Sequence, residues 1–308
     1  YQSDRGIYTT GLQASLYGKV LDVDVKQTED KSVVVDINGR VDLADVKAWS
    51  QQAALAFTTG ETDFSAQIKV VAKGGRGGES EFTVKSDSVG IVIDLPAPYK
   101  KAAEQKHPFW LKLPIAKEKP LLRMGLEDTV ELQLSLNAGT VESGLVLLDK
   151  AENTLHEKEF MVVVGAIDHF DYDQWQQVLQ RYLEEDESML AARRGQDNES
   201  VAAEKAGLSI KVRDLLLKDF SGFNQRYQNS KVNLQRWQDA WLLSVNNDSI
   251  RGELFIPNDM SAASPLIAKL QRLTLPENSV AEGMDSTDLD TIGQINLDAD
   301  IQNLFILY

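Results

Sequence analysis

Alternation of apolar and polar residues with a period of two runs through most of this chain, and it constrains the fold more than any other feature. Val33, Val35, Ile37 and Val41 alternate with Val34, Asp36, Asn38 and Arg40; Val130, Leu132, Leu134 and Leu136 alternate with Glu131, Gln133, Ser135 and Asn137. Successive side chains of a strand point to opposite faces, so each such stretch carries one apolar and one polar face. The same reading predicts strands over 12–16, 19–26, 64–72, 81–85, 89–94, 110–115, 141–148, 160–167, 208–217, 242–245, 249–256, 266–275 and 295–307. Turn-rich joints such as Asn137-Ala138-Gly139 and Asn246-Asn247-Asp248 predict an antiparallel meander. A parallel βαβ arrangement needs more helix than the pattern offers.

Two segments leave this period, and they resemble each other. GRVDLADVKAW, Gly39 to Trp49, recurs as GAIDHFDYDQW, Gly165 to Trp175. After Asp45 the residues Val46, Trp49, Ala53 and Phe57 follow helical spacing, as do Tyr172, Trp175, Val178, Leu179 and Tyr182 after Asp171. Each copy therefore predicts a strand entering a helix, with Asp45 and Asp171 as N-caps and Trp49 and Trp175 as anchoring aromatics. Gln174 stands where a capping box would place it, and Phe170 where a hydrophobic staple would. Two equivalent copies imply a repeating architecture.

Chemistry-bearing motifs are sparse. Asp168, His169, Asp171 and Asp173 have metal-ligating side chains close together, but the first copy has Leu43 where His169 stands, and capping accounts for Asp171. His107 and His156 lie in polar, loop-like surroundings. GGRGG, Gly74 to Gly78, lacks the lysine and following helix of a phosphate loop and reads as a hairpin connection. Two facing carboxylates suffice for a glycosidase, and 47 acidic residues leave a β-rich carbohydrate-active enzyme as one alternative. A formal charge of −15 argues against nucleic acid as a partner, because phosphate binding draws on clustered Lys and Arg. Cysteine is absent, so thiolate chemistry is excluded, and no cofactor is expected. The longest apolar run, Met161 to Ile167, falls far short of the about 20 residues of a spanning helix. With no initiator Met, the chain is expected to be a segment of a longer protein.

The strand followed by [VI]-D-x-x-D-[VY]-x-x-W, together with PLLRMGLEDTVELQLSLNAGTVESGLVLL from Pro120 to Leu148, resembles the large AsmA-like proteins of Gram-negative bacteria, of the YhdP type. WLLSVNNDSIRGELFIPND, Trp241 to Asp259, and LIAKLQRLTLPE, ending at Glu277, are similar to the same family's recurring strand pattern, and the likeness runs from Asp4 to the final strand. The resemblance implies the periplasmic part of a single-span inner-membrane protein. Such proteins are bridges of repeated β-units whose groove carries phospholipids between inner and outer membrane and supports the outer-membrane barrier. The membranes would be engaged through parts outside this segment. A TamB-like scaffold for outer-membrane protein assembly is a second alternative.

The expected fold is therefore mainly β: an elongated, twisted antiparallel sheet forming an open groove, with two or three short helices. The approximate units are 1–107 and 108–277, with 278–308 beginning the next. The polar stretch 184–207 reads as a mobile connection or surface helix, and 278–291 as a second insertion. Groove candidates are Val33, Val35, Ile37, Ile68, Val70, Val130, Leu132, Leu134, Leu136, Leu145, Leu147, Leu254 and Ile256. Phospholipid acyl chains would replace the second sheet that ordinarily covers such a face. A plain β-sandwich, whose two apolar faces bury each other, has the same alternation.

Overall fold

The computed structural model describes residues 8–50, 52–72, 78–152, 157–194, 208–222, 225–237, 240–257, 266–274 and 304–306. The protein is mainly β, built on an open sheet that is not closed into a barrel. Its chain divides into two compact units, residues 1–161 with 176–208, and residues 162–175 with 209–308.

In the first unit the strands are β1 (Tyr8–Leu16), β2 (Lys19–Gln27), β3 (Val33–Asp42), β4 (Thr58–Val70), β5 (Glu81–Ser86), β6 (Ile91–Ile93), β7 (Phe109–Pro114), β8 (Leu121–Leu126), β9 (Val130–Asn137) and β10 (Thr140–Leu148). They form an antiparallel meander, β1-β2-β3-β4-β5-β7-β8-β9-β10. β6 pairs with the opposite end of the long β4. Two-residue hairpins set the register at both ends. Tyr17-Gly18 joins β1 to β2 and Ala138-Gly139 joins β9 to β10, all four residues at positive φ. That geometry matches the twist of the flanking strands. β8 was not among the expected strands, although Leu122, Met124 and Leu126 alternate in it with Arg123 and Gly125. The unit boundary expected near residue 107 falls inside this meander.

The helix α1 (Leu43–Ser50) and a 3-10 turn (Ala53–Phe57) connect β3 to β4. Ala53, Phe57 and Ile91 are buried beside them, as is Lys101. The Lys101 ammonium donates to the carbonyl oxygens of Ser88, Ile91 and Ala102 at 2.6, 2.7 and 3.1 Å. Burial pushes its pKa down, opposed by Glu104.

The second unit begins within β11 (Phe160–Ile167) and contains β12 (Phe170–Asp171), β13 (Ser209–Gly222), β14 (Gln225–Trp237), β15 (Ala240–Asn246), β16 (Ile250–Pro257), β17 (Leu266–Leu273) and β18 (Leu304–Ile306). β13 to β18 pair consecutively and antiparallel. The short β12 lies parallel to β13, an exception to the expected meander. β14 is a further strand that the alternation did not reveal, because Gln, Arg, Asn and Lys occupy most of its positions. Asn247 shapes the β15–β16 turn, its Oδ1 accepting from the backbone N–H groups of Ser249 and Ile250 at 2.8 and 2.6 Å.

The helix α2 (Tyr172–Arg194) has its first turn in the second unit and the remainder in the first. Asp171 caps it: its Oδ1 accepts from the Gln174 N–H at 2.9 Å. Phe170 stacks on Trp175 with ring centroids 5.8 Å apart, closing the staple. In the first copy of the motif the cap is instead Asp42, whose Oδ1 accepts from the Ala44 N–H at 2.9 Å. Asp45 lies inside the first turn of α1, where a carboxylate still complements the helix dipole. Trp49 is 74% exposed and anchors nothing comparable. The two copies are thus not equivalent elements, since helix formation starts three residues earlier in the first. Of 184–207, the part through Arg194 is helical. Residues 195–207 and 275–303, which include the 278–291 insertion, lie outside the described residues, as do His156 and residues 74–77 of the glycine run.

Candidate functional site

The register of the first unit joins its apolar positions into rows. One row runs Val23, Ile37, Ala66, Val84, Leu111, Met124, Leu132, Val146, each residue directly opposite the next across β2, β3, β4, β5, β7, β8, β9 and β10. Beside it lie Val25, Val35, Ile68, Phe82 and Leu113. Leu122, Leu134 and Gly144 continue that flank, and on the row's other side lie Leu126, Val130 and Leu148. Directly opposite residues share a face, so Val33, Val35, Ile37, Ile68, Val70, Val130, Leu132, Leu134 and Leu136 all stand on one side of the sheet. A one-residue slip in any ladder would break the row.

Burial distinguishes this face from a sandwich core. Of the eight residues in the first row only Ala66 is buried; the other seven are half-buried. Val70 is 46% exposed. Core side chains packed between two sheets lose nearly all contact with water, and these do not. At about 25 cal/mol per Å2 of apolar surface removed from water, a ligand covering the row gains in proportion to area, with no single residue gripping it.

Leu145 and Leu147 do not belong to the face. They pair with Gln133 and Glu131, because a bulge between Val141 and Ser143 inverts the parity of β10 beyond it. Both are buried, Leu145 completely. Val146 and Leu148 take the apolar positions instead. Met161 lies over Gly144 on the apolar side, where a Cβ would meet its sulfur at 2.3 Å. In the second unit Leu254 stands opposite Leu243 and Ala268, and Ile256 opposite Trp241. Leu234 extends the row from Leu243, again on one face.

The opposite parity of the first unit carries ion pairs, beside the buried Val34, Leu145 and Leu147. Arg40 holds Asp63 through two hydrogen bonds of 2.8 and 3.1 Å, Lys26 and Gln67 bond Asp36, and Arg123 and Gln133 bond Glu131. The Lys26 ammonium, with Gln67, holds the Asp36 carboxyl below its usual range; Arg40 does the same for Asp63, and Lys19 for Glu61. Asp30, Glu142 and Asp219 are likewise held below the usual range, so none of these six carboxylates has the raised value that a general acid needs at neutral pH. A concavity of about 1070 Å3 opens on this polar side, lined partly by Arg40, Trp110 and Arg123. A twisted sheet is saddle-shaped, so each face is concave along its own diagonal.

Asp168, His169 and Asp171 are spent on structure, and Asp173 lies in the first turn of α2. Asp168 pairs with Lys218 at 2.6 Å, His169 Nδ1 meets Asp219 at 2.7 Å, and Asp171 caps α2. Asp219 also receives two 2.6 Å bonds from Arg226, which holds its carboxyl far below the usual range, helped by His169 and Gln228. Among the described residues no group of three or more His, Cys, Asp or Glu is placed to hold a metal ion, and no helix is long and apolar enough to cross a membrane.

A family model described as YhdP protein matches residues 3–307. No curated protein and no solved structure matches the chain.

Proposed function

Because the chain belongs to the YhdP family of AsmA-like proteins, we propose that it is a periplasmic segment of a lipid-transport bridge, carrying phospholipid acyl chains along its apolar face between inner and outer membrane. The observation that supports this reading is the apolar row across eight strands whose side chains, all but that of Ala66, are only half-buried. An unbranched hydrocarbon lying there removes that surface from water at any position along the row, so its binding energy varies little as it slides. The head group needs no dedicated pocket and remains hydrated at the rim. The role is one of passage, with no bond made or broken, and supports the outer-membrane barrier by supplying lipid.

Native mass spectrometry of the chain purified without detergent tests the reading, together with titration of a phospholipid carrying a fluorescent acyl chain. Phospholipid adducts and a saturable rise in fluorescence are expected. A chain that is folded, lipid-free and silent to the labelled phospholipid would overturn the proposal.

A further inference from the structure

The concavity on the polar side of the first unit lies on the parity opposite the apolar row, and the lipid reading leaves it without a role. Trp110 lines it. The indole lies across Gly125, its directly opposite neighbour, so closely that a Cβ there would come within 2.7 Å of Cε2 and Nε1. The backbone of β8 therefore fixes the ring, which is half-buried and lines the concavity.

Cations gather around this ring. Lys85 is directly opposite Trp110 on one side, and Lys112 is directly opposite Arg123 on the other. Lys112 Nζ and Arg123 Cζ lie 5.8 and 5.7 Å from the indole centroid. Like charges directly opposite in an antiparallel pair oppose strand pairing. Arg123 is offset by Glu131 at 2.6 Å, whereas among the described residues Lys85 and Lys112 have no ion-pair partner. Of the carboxylates that line the concavity, Asp63 is held by Arg40 and Asp87 by Lys106, which leaves Asp22 against Lys85 and Lys112, a local excess of positive charge on a chain of formal charge −15. Diagonal positions of this kind lie about 7–8 Å apart, within joint reach of one small anionic group. Asp22 and Asn38 line the same wall with exposed side chains, offering acceptors and an amide.

We propose that this concavity binds an oligosaccharide carrying an anionic group, with one sugar ring against Trp110, the anion held by Lys85 and Lys112, and the hydroxyls of rings farther along the wall bonded by Asn38 and Asp22, three and four strands from Trp110. A fixed aromatic surface with planar polar side chains farther along the same wall suits a chain of sugars, each of which presents C–H groups on one face and hydroxyls at its edge. The unpaired lysines select acidic sugars over neutral ones.

The test is calorimetric titration of the whole chain with a uronate oligosaccharide, its neutral counterpart of equal length, inorganic phosphate and phosphatidylglycerol vesicles. The uronate is expected to bind at least tenfold more tightly than the neutral sugar, about 1.4 kcal/mol. Lys85→Gln with Lys112→Gln should abolish that preference, and Trp110→Phe should weaken both sugars, with thermal unfolding of the lysine variant unchanged because both positions are exposed. Equal affinity for acidic and neutral sugars overturns the proposal, as does uronate binding that survives the lysine variant. Phosphate or vesicles binding as tightly as the uronate, or no sugar binding up to about 10 mM, overturns it too. Lipid co-purification reports on the opposite face and is unaffected by any of these outcomes.

Discussion

Lys101 and its neighbour Lys100 are indistinguishable in the sequence, yet one is 1% exposed and the other lies in water. The ammonium of Lys101 gathers three carbonyls from separate places, Ser88 in the turn before β6, Ile91 at its start and Ala102 on the path that follows it. Replacing it by methionine keeps the length of the side chain and removes the donors. Lys101→Met is expected to cost about 2–3 kcal/mol in urea unfolding, since buried carbonyls left unpaired bear their full desolvation penalty; Lys100→Met should be within about 0.5 kcal/mol of the parent. Asp219 supplies a pH-dependent counterpart. Its folded pKa is depressed by Arg226 first and His169 second, so its contribution to stability is present above the unfolded value of about 4 and is lost as pH falls below it. Asp219→Asn should therefore be less stable than the parent at pH 7, with the gap closing as thermal melts are taken down from about pH 5 toward pH 3. A gap that is constant with pH would show that packing, not charge, sets the cost. Neither residue is legible from sequence: the hydrogen bonds that single them out come from residues brought together by the fold, at a separation of 50 positions for His169 and Asp219.

At the scale of elements, alternation finds strands well where one face is uniformly apolar, as in β3 and β9, and poorly where polar side chains occupy both faces. β14 is the clearest case, since only Val232 and Leu234 mark its inner parity, through pairings with Leu215 and Val212. Bulges are a second limit. The one in β10 adds a residue whose presence is visible only in the ladder, and it moves Leu145 and Leu147 off the face that their spacing suggests. The repeated Gly-to-Trp motif illustrates a third, because similar residues offer two caps, Asp42 and Asp45, and local competition decides between them. Circular dichroism melts of three variants check the outcome. Asp171→Ala and Asp42→Ala are each expected to cost about 1 kcal/mol, whereas Asp45→Ala should remain within about 0.5 kcal/mol. Equal losses at Asp42 and Asp45 would restore the equivalence of the two copies.

For the whole molecule the question is whether the half-exposed face of the first unit is a surface for lipid or an incompletely covered core. Two leucines on strands that pair with each other separate the possibilities. Leu134 on β9 stands on the apolar face and is half-buried; Leu145 on β10 stands on the other parity with no exposed surface. An arginine at 134 can turn its guanidinium toward water while its stem lies along the sheet. An arginine at 145 has no such exit and buries an unpaired charge. Leu145→Arg is therefore expected to abolish the cooperative unfolding transition. Leu134→Arg should keep a thermal transition close to the parent's and lose co-purifying phospholipid, because a charge fixed in the row costs any acyl chain its continuous apolar contact. Lipid retained by a folded Leu134→Arg would detach the face from transport. Collapse of both variants alike would mean that Leu134 belongs to a sealed core, whose alternation is that of an ordinary sandwich.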